Sequence, residues 1–334
     1  MAVSSEHWKF RPHPLLRSGH LQTVAGIYLP RRHAPYQAKL HLVPADDVAP
    51  ERGGDQIALH EDRPDSWQPH QPVVLVIHGL AGCYLSTYMC RMADRLSARG
   101  YCVFRMDMRG CGAGRDVARL PTHCGRSGDA AAALRFIAEL YPQAPTYAVG
   151  FSLGGTLMLN LLGEVGETRV GNLERLLAIC PPIDLFAVEK QFDTRLGRPY
   201  DKFFVKLLWK QITERWQRYP EIAPPSVPAR PKRLRHIDEM VIAPSGGFSN
   251  ADEYYRATQP GPKLTAIRQP TTIIAAVDDP IVPTGPLMEY PRSDAIEVFL
   301  APRGGHLGFI AHKNGDPDYR WLDWRIVDWV ETGH

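Results

Sequence analysis

Apolar positions along this chain fall into two rhythms. In the first, short runs are apolar at almost every position: "VVLVIH" (73–78), "YCVFRMD" (101–107), "TYAVGF" (146–151), "RLLAICP" (175–181), "TTIIAAV" (271–277) and "AIEVFLAP" (295–302). Runs of this length and β-branched content predict strands buried on both faces. In the second, apolar residues recur every three or four positions, as in "STYMCRMADRLSARG" (86–100) and "SGDAAAALRFIAELYP" (127–142), which end on Gly or Tyr-Pro as helices do. Strands alternating with helices predict an α/β fold built on a mostly parallel, doubly wound sheet.

The alternation fails once, over about 183–265, where no strand of similar quality occurs. That stretch holds "YDKFFVKLLWKQITERWQRYP" and then the proline-rich "PEIAPPSVPARPKRLR". An insertion of this size between core strands predicts a helical cap over a single domain spanning 1–334. On its long helix Phe203, Phe204, Leu207, Leu208, Ile212 and Trp216 are expected to share one face, with Lys202, Lys206, Lys210 and Arg215 on the others. Packing of that face onto the core is the simpler reading. A basic amphipathic helix also leaves transient membrane contact open.

Composition narrows the classes. The 334 residues are 44% hydrophobic and 22% charged, ordinary for a globular protein. A net charge of +3 with a pI near 8.5 gives no basis for nucleic-acid binding. The opening "MAVSSEHWKFRPHP" lacks the apolar core of a signal peptide, and no apolar run approaches membrane-spanning length. The six cysteines form no C-x-x-C pair and read as buried thiols of a reducing cytoplasm.

The chemistry centres on "AVGFSLGGTLML" (148–159), in which Gly150-Phe151-Ser152-Leu153-Gly154 follows a strand and opens a helix. Roughly 0.1–0.2 matches to G-x-S-x-G arise by chance in such a chain, so the weight rests on this setting. A serine at a sharp strand-to-helix turn exposes its hydroxyl beside the N–H groups of a helix N-terminus, a place suited to a nucleophile. A base and an orienting carboxylate should follow in that chain order. "TTIIAAVDDPIVP" puts Asp278 and Asp279 at the carboxyl end of a strand, and "RGGHLGF" puts His306 on a glycine-rich loop after the next one. His312 and His334 are weaker candidates. Oxyanion donors are expected from the N–H groups of Leu153 and of Leu80 in "VVLVIHGLAG", with His78 bracing that loop. "RGCGAG" lacks the full G-x-G-x-x-G of a dinucleotide enzyme. A non-catalytic binding module would be signalled by a missing member of the trio, and none is missing.

Taken together, "FRPHPLLRSGHLQT", "HGLAG", "DMRGCG", "GRSGDAAAALRFI", "GFSLGG", "IDEMVIAPSGGFSNADEYY", "AAVDDP" and "GGHLGF" resemble the YheT-like group of α/β-hydrolases from about residue 10 to 330. The mammalian α/β-hydrolase-domain lipases and the yeast medium-chain ethyl ester synthases are related to that group. The resemblance implies an α/β-hydrolase fold and a triad of Ser152, one of Asp278 and Asp279, and His306. The activity implied is hydrolysis of carboxylic esters of short to medium acyl chains, or acyl transfer to an alcohol, with no metal or organic cofactor. Many α/β-hydrolases read G-x-x-D-x-I-V-P at the acid turn, and "AVDDPIVP" aligns that acid with Asp279. The expected partner is a small or lipid-like ester.

Overall fold

The computed structural model describes residues 8–29, 38–45, 54–226, 228–312 and 315–333. The first seven residues, where the leader reading begins, and the candidate His334 lie outside them. Eight strands form one sheet: β1 (Lys39–Pro44), β2 (Gln56–Asp62), β3 (Val73–Ile77), β4 (Cys102–Asp107), β5 (Thr146–Phe151), β6 (Leu173–Ile179), β7 (Thr271–Ala276) and β8 (Ile296–Ala301). Their spatial order is β1-β2-β4-β3-β5-β6-β7-β8. The pairs β1/β2 and β2/β4 are antiparallel, and every other pair is parallel.

Alternation along the central strands sorts their side chains into two cores. Val73, Leu75 and Ile77 join the layer of α3 (Ser127–Leu140) and α4 (Leu153–Val165). Val74 and Val76 join that of α2 (Thr87–Ser97) and the C-terminal helix Trp321–Thr332. Both faces are therefore covered, as parallel strands require.

The two antiparallel strands are absent from the hydrophobic pattern because β2 buries charge. His60, Glu61 and Asp62 are all buried. Each has a partner: His60 Nε2 lies 3.0 Å from Asp107 Oδ2, His41 Nε2 2.7 Å from Glu61 Oε2, and Arg105 Nε donates to Asp62 Oδ2 at 2.7 Å. Pairing offsets the desolvation of these groups, so a strand of ionisable residues sits inside the fold. Burial raises the Asp62 carboxyl above its ordinary range against the opposing pull of Arg105.

Between β6 and β7, among the described residues, the chain is helical or irregular. It includes α5 (Leu185–Asp193), α6 (Arg198–Arg218) and the helix Ala251–Thr258. The face expected for α6 needs correction. Its buried residues are Asp201, Val205, Leu208, Trp209, Ile212 and Arg215, whereas Phe203 is exposed. Arg215 turns inward because its guanidinium donates to the Gly110 carbonyl at 3.0 Å. No described helix is long and apolar enough to cross a membrane. One helix lies outside the strand–helix rhythm: α1 (Gly19–Tyr28), capped by Ser18.

Candidate active site

The order of the parallel strands reverses between β3 and β5, which opens a crevice beyond their carboxyl ends. Ser152 stands there, directly after β5, with φ 50° and ψ −115°. The turn is tight enough to demand glycine on both sides. A Cβ on Gly150 would lie 2.6 Å from the Gly155 nitrogen, and one on Gly154 would lie 2.5 Å from the Ile77 carbonyl oxygen. The helix α4 begins at Leu153, whose N–H belongs to the first turn and has no partner within its helix.

Asp279 follows β7, and His306 sits on the loop after β8. His306 Nε2 is 3.1 Å from Ser152 Oγ, and its Nδ1 is 2.8 Å from Asp279 Oδ2. The other oxygen, Asp279 Oδ1, accepts the N–H groups of Ile281 and Val282 at 2.8 and 3.0 Å. All three residues are nearly buried. Asp278 points elsewhere: its Oδ1 accepts the Gly305 N–H at 2.9 Å, tying the acid turn to the histidine loop. His312 lies after that loop, and its N–H bonds to the Arg11 carbonyl at 2.9 Å.

Leu80 follows β3, and the loop comes close to the serine: a Cβ on Gly79 would lie 3.2 Å from Ser152 Cβ. His78 is fully buried behind it. Its Nε2 accepts the Met108 N–H at 3.2 Å, so its Nδ1 carries the proton and donates to the Gly79 carbonyl at 2.7 Å. Burial lowers its pKa and keeps the ring neutral. The Tyr88 hydroxyl accepts the Gly79 N–H at 2.8 Å and is pushed up to about 12 by burial.

The sequence reading missed how α1 holds the histidine. His306 N–H donates to Thr23 Oγ1 at 2.8 Å, and that hydroxyl donates to the Gly19 carbonyl at 2.7 Å. Gln22 takes the Ile310 N–H on its Oε1 at 2.6 Å and gives its amide to the Leu16 and Ile310 carbonyls at 2.6 and 2.9 Å. Gly19 has no room for a side chain, since a Cβ there would lie 1.8 Å from the Asp278 carbonyl oxygen. Periodicity carried no signal for this role, because Thr23 and His306 lie 283 positions apart in the chain.

The glycines of "RGCGAG" have a structural account. A Cβ on Gly110 would strike the Arg215 guanidinium, and one on Gly112 the Asp107 carboxylate. All six cysteines are free. Burial pushes the thiols of Cys111 and Cys124 up to about 12, and that of Cys180 well above its ordinary value. Cys180, Asp279 and His306 bring possible ligand atoms together. There, however, His306 Nδ1 already faces the Asp279 carboxylate and Nε2 already faces Ser152 Oγ.

Comparison with known proteins agrees with the fold. A family model described as the alpha/beta hydrolase fold matches residues 72–205. The YheT protein of Escherichia coli (strain K12) is 30% identical over 94% of this chain and 90% of its own length. The chain belongs to the YheT-like family of α/β-hydrolases. Within that family it is 28% identical to the medium-chain fatty acid ethyl ester synthase/esterase 2 of Saccharomyces cerevisiae, covering 73% of this chain. It is 24% identical to human phospholipase ABHD3, covering 72%. The chain spans 59% of the length of each of these two relatives. Among solved structures, the Pyrococcus furiosus esterase Pf2001 superposes with a TM-score of 0.53 over 90% of this chain and 95% of its own, at 14% identity. That likeness supports the fold alone.

Proposed function

We propose that this α/β-hydrolase is a serine esterase that cleaves short to medium acyl esters through an acyl-enzyme. The observation carrying the reading is the unbroken line from Ser152 Oγ through the His306 ring to Asp279, at 3.1 and 2.8 Å. Asp279 fixes the tautomer with the proton on Nδ1, leaving Nε2 free to take the serine proton. As the Ser152 Oγ–carbonyl bond forms, the carbonyl oxygen becomes an oxyanion facing the N–H groups of Leu153 and Leu80. His306 then passes its proton to the leaving alkoxide, the ester C–O bond breaks, and the alcohol departs. Water, deprotonated by the same nitrogen, attacks the acyl-enzyme and releases the acid and Ser152. The strained φ of Ser152 fits a nucleophile held for reaction rather than a residue placed for stability.

An alcohol in place of that water gives acyl transfer, and the synthase/esterase name of the yeast relative supports testing it in the same site. A non-catalytic module is disfavoured because all three side chains are within hydrogen-bond reach. Six free thiols fit the cytoplasmic reading. The decisive experiment is Ser152→Ala. It should abolish hydrolysis of p-nitrophenyl butanoate and labelling by a fluorophosphonate at an unchanged melting temperature. Retained activity in a folded Ser152→Ala protein would refute the reading, and product analysis with added ethanol separates hydrolysis from transfer.

A further inference from the structure

Ser152 opens onto two cavities. The inner one, about 120 Å³, runs beneath the cap and is lined by Leu153, Leu185, Val188, Phe192, Leu208 and Ile212. The outer one, about 630 Å³, opens toward solvent between α1 and α6 and is lined by Val24, Ile27, Tyr28, Phe203, Leu207 and His306. Helix α6 is the partition. Leu208 and Ile212 face inward, Phe203 and Leu207 face outward, and Phe204 borders both cavities.

Resting on the esterase reading above, we infer that the inner cavity takes the acyl chain and the outer groove takes the alcohol. The substrate class is then an ester of a short acyl group with a longer apolar alcohol. The reason is the proton. The leaving oxygen must receive it from His306 Nε2, and His306 lines the outer cavity but not the inner one. The carbonyl oxygen is directed to the Leu153 and Leu80 N–H groups, which leaves the acyl chain the remaining direction, inward. Size then sets the preference, because the outer space is the larger of the two. Charged and polar side chains also form part of the inner wall. Arg235 bonds Glu189 at 2.9 Å, and Tyr255 Oη donates to Asp238 at 2.6 Å, so a long alkyl tail would be driven against polar groups that gain nothing from it. The groove has the opposite character, since Val24, Ile27, Tyr28 and Phe203 are exposed apolar side chains along its wall. An apolar alcohol would cover them.

The test compares two isomers of equal carbon count, hexyl butanoate and ethyl octanoate, by kcat/KM. The expected preference for hexyl butanoate is at least about tenfold, the discrimination that one or two misfitting methylenes confer in an apolar pocket. Two variants then read the arms separately, with melting temperatures recorded. Val188→Phe narrows the inner cavity and should lower the butanoate-to-acetate ratio measured on hexyl esters. Val24→Trp obstructs the groove and should lower the hexyl-to-methyl ratio measured on butanoates. A preference for ethyl octanoate, or an exchange of the two variants' effects, overturns the inference while leaving the esterase reading intact. A wild-type protein that hydrolyses neither ester and takes no fluorophosphonate overturns both. The isomer comparison needs no variant, so a substitution that fails to fold still leaves a deciding measurement.

Discussion

The adjacent carboxylates Asp278 and Asp279 offer a sharp test, because exchanging each for Asn has an effect that follows from its hydrogen bonds. In Asp279→Asn the side-chain oxygen stays with the Ile281 and Val282 N–H groups, now 2.8 and 3.0 Å from Oδ1. An amide nitrogen there would set donor against donor. The amide nitrogen therefore meets His306 Nδ1 at the 2.8 Å separation now held by Oδ2. It donates, Nδ1 must accept, and the ring proton moves to Nε2, facing Ser152 Oγ. A protonated Nε2 does not take the serine proton. The expected loss in kcat is about 10⁴, equivalent to about 5.5 kcal/mol of barrier. Folding should hardly notice, because both backbone N–H groups keep their acceptor. In Asp278→Asn the oxygen still accepts from Gly305 N–H, now at 2.9 Å, so activity should stay within about fivefold, a change typical of substitutions that break no buried partner. The assay is p-nitrophenyl butanoate turnover at pH 7 with the rate of fluorophosphonate labelling and a thermal melt on each variant. If Asp278→Asn is the dead variant, the acid assignment moves to Asp278. If neither variant loses more than tenfold, the relay is not how this serine is activated.

Three further outcomes are expected. Thr23→Val leaves the buried His306 N–H without its acceptor, a loss of about 1–3 kcal/mol; it should lower kcat and slow fluorophosphonate labelling with KM little moved, and Thr23→Ser should restore both. An equal loss in the serine variant would show that the hydroxyl is not what positions the loop. Trp209 is buried, packs on Trp216 with ring centroids 5.5 Å apart and is absent from both cavity walls, so Trp209→Ala should destabilise by about 3–5 kcal/mol without altering the butanoate-to-acetate ratio; a changed ratio would put α6 packing into specificity. Asp238, facing Tyr255, Arg235, Glu189 and Asp201, has its carboxyl raised to about 7 by burial. The folded state holds a proton there that the unfolded chain releases near pH 4, so this contribution is present below about pH 4 and is lost as pH rises to about 7. Asp238→Asn should gain in unfolding free energy relative to the parent across that window, by up to roughly 4 kcal/mol. Parallel pH–stability curves for the two proteins would refute the shift.

What the sequence by itself determined is what local sterics and periodicity control. Six parallel strands were legible because strands buried on both faces have to be apolar at nearly every position. The serine turn was legible because only glycine fits at positions 150 and 154 once the chain reverses so sharply. Carboxylates and a histidine at strand ends narrowed the remaining chemistry to a few residues, since parallel sheets bring those ends together. Tertiary structure decided the rest. Strand β2 was hidden because its buried charges are neutralised by partners from β1 and β4 that are distant in sequence, so its composition resembles a surface. The buried face of α6 was misjudged for the same reason: Arg215 turns inward only because the Gly110 carbonyl is there to receive it. The role of α1 was invisible because Thr23 and His306 are 283 positions apart, and a hydrogen bond at that separation leaves no periodic trace along the chain. The division of space around Ser152 is likewise a property of how α1, α5 and α6 pack together, which no single segment encodes.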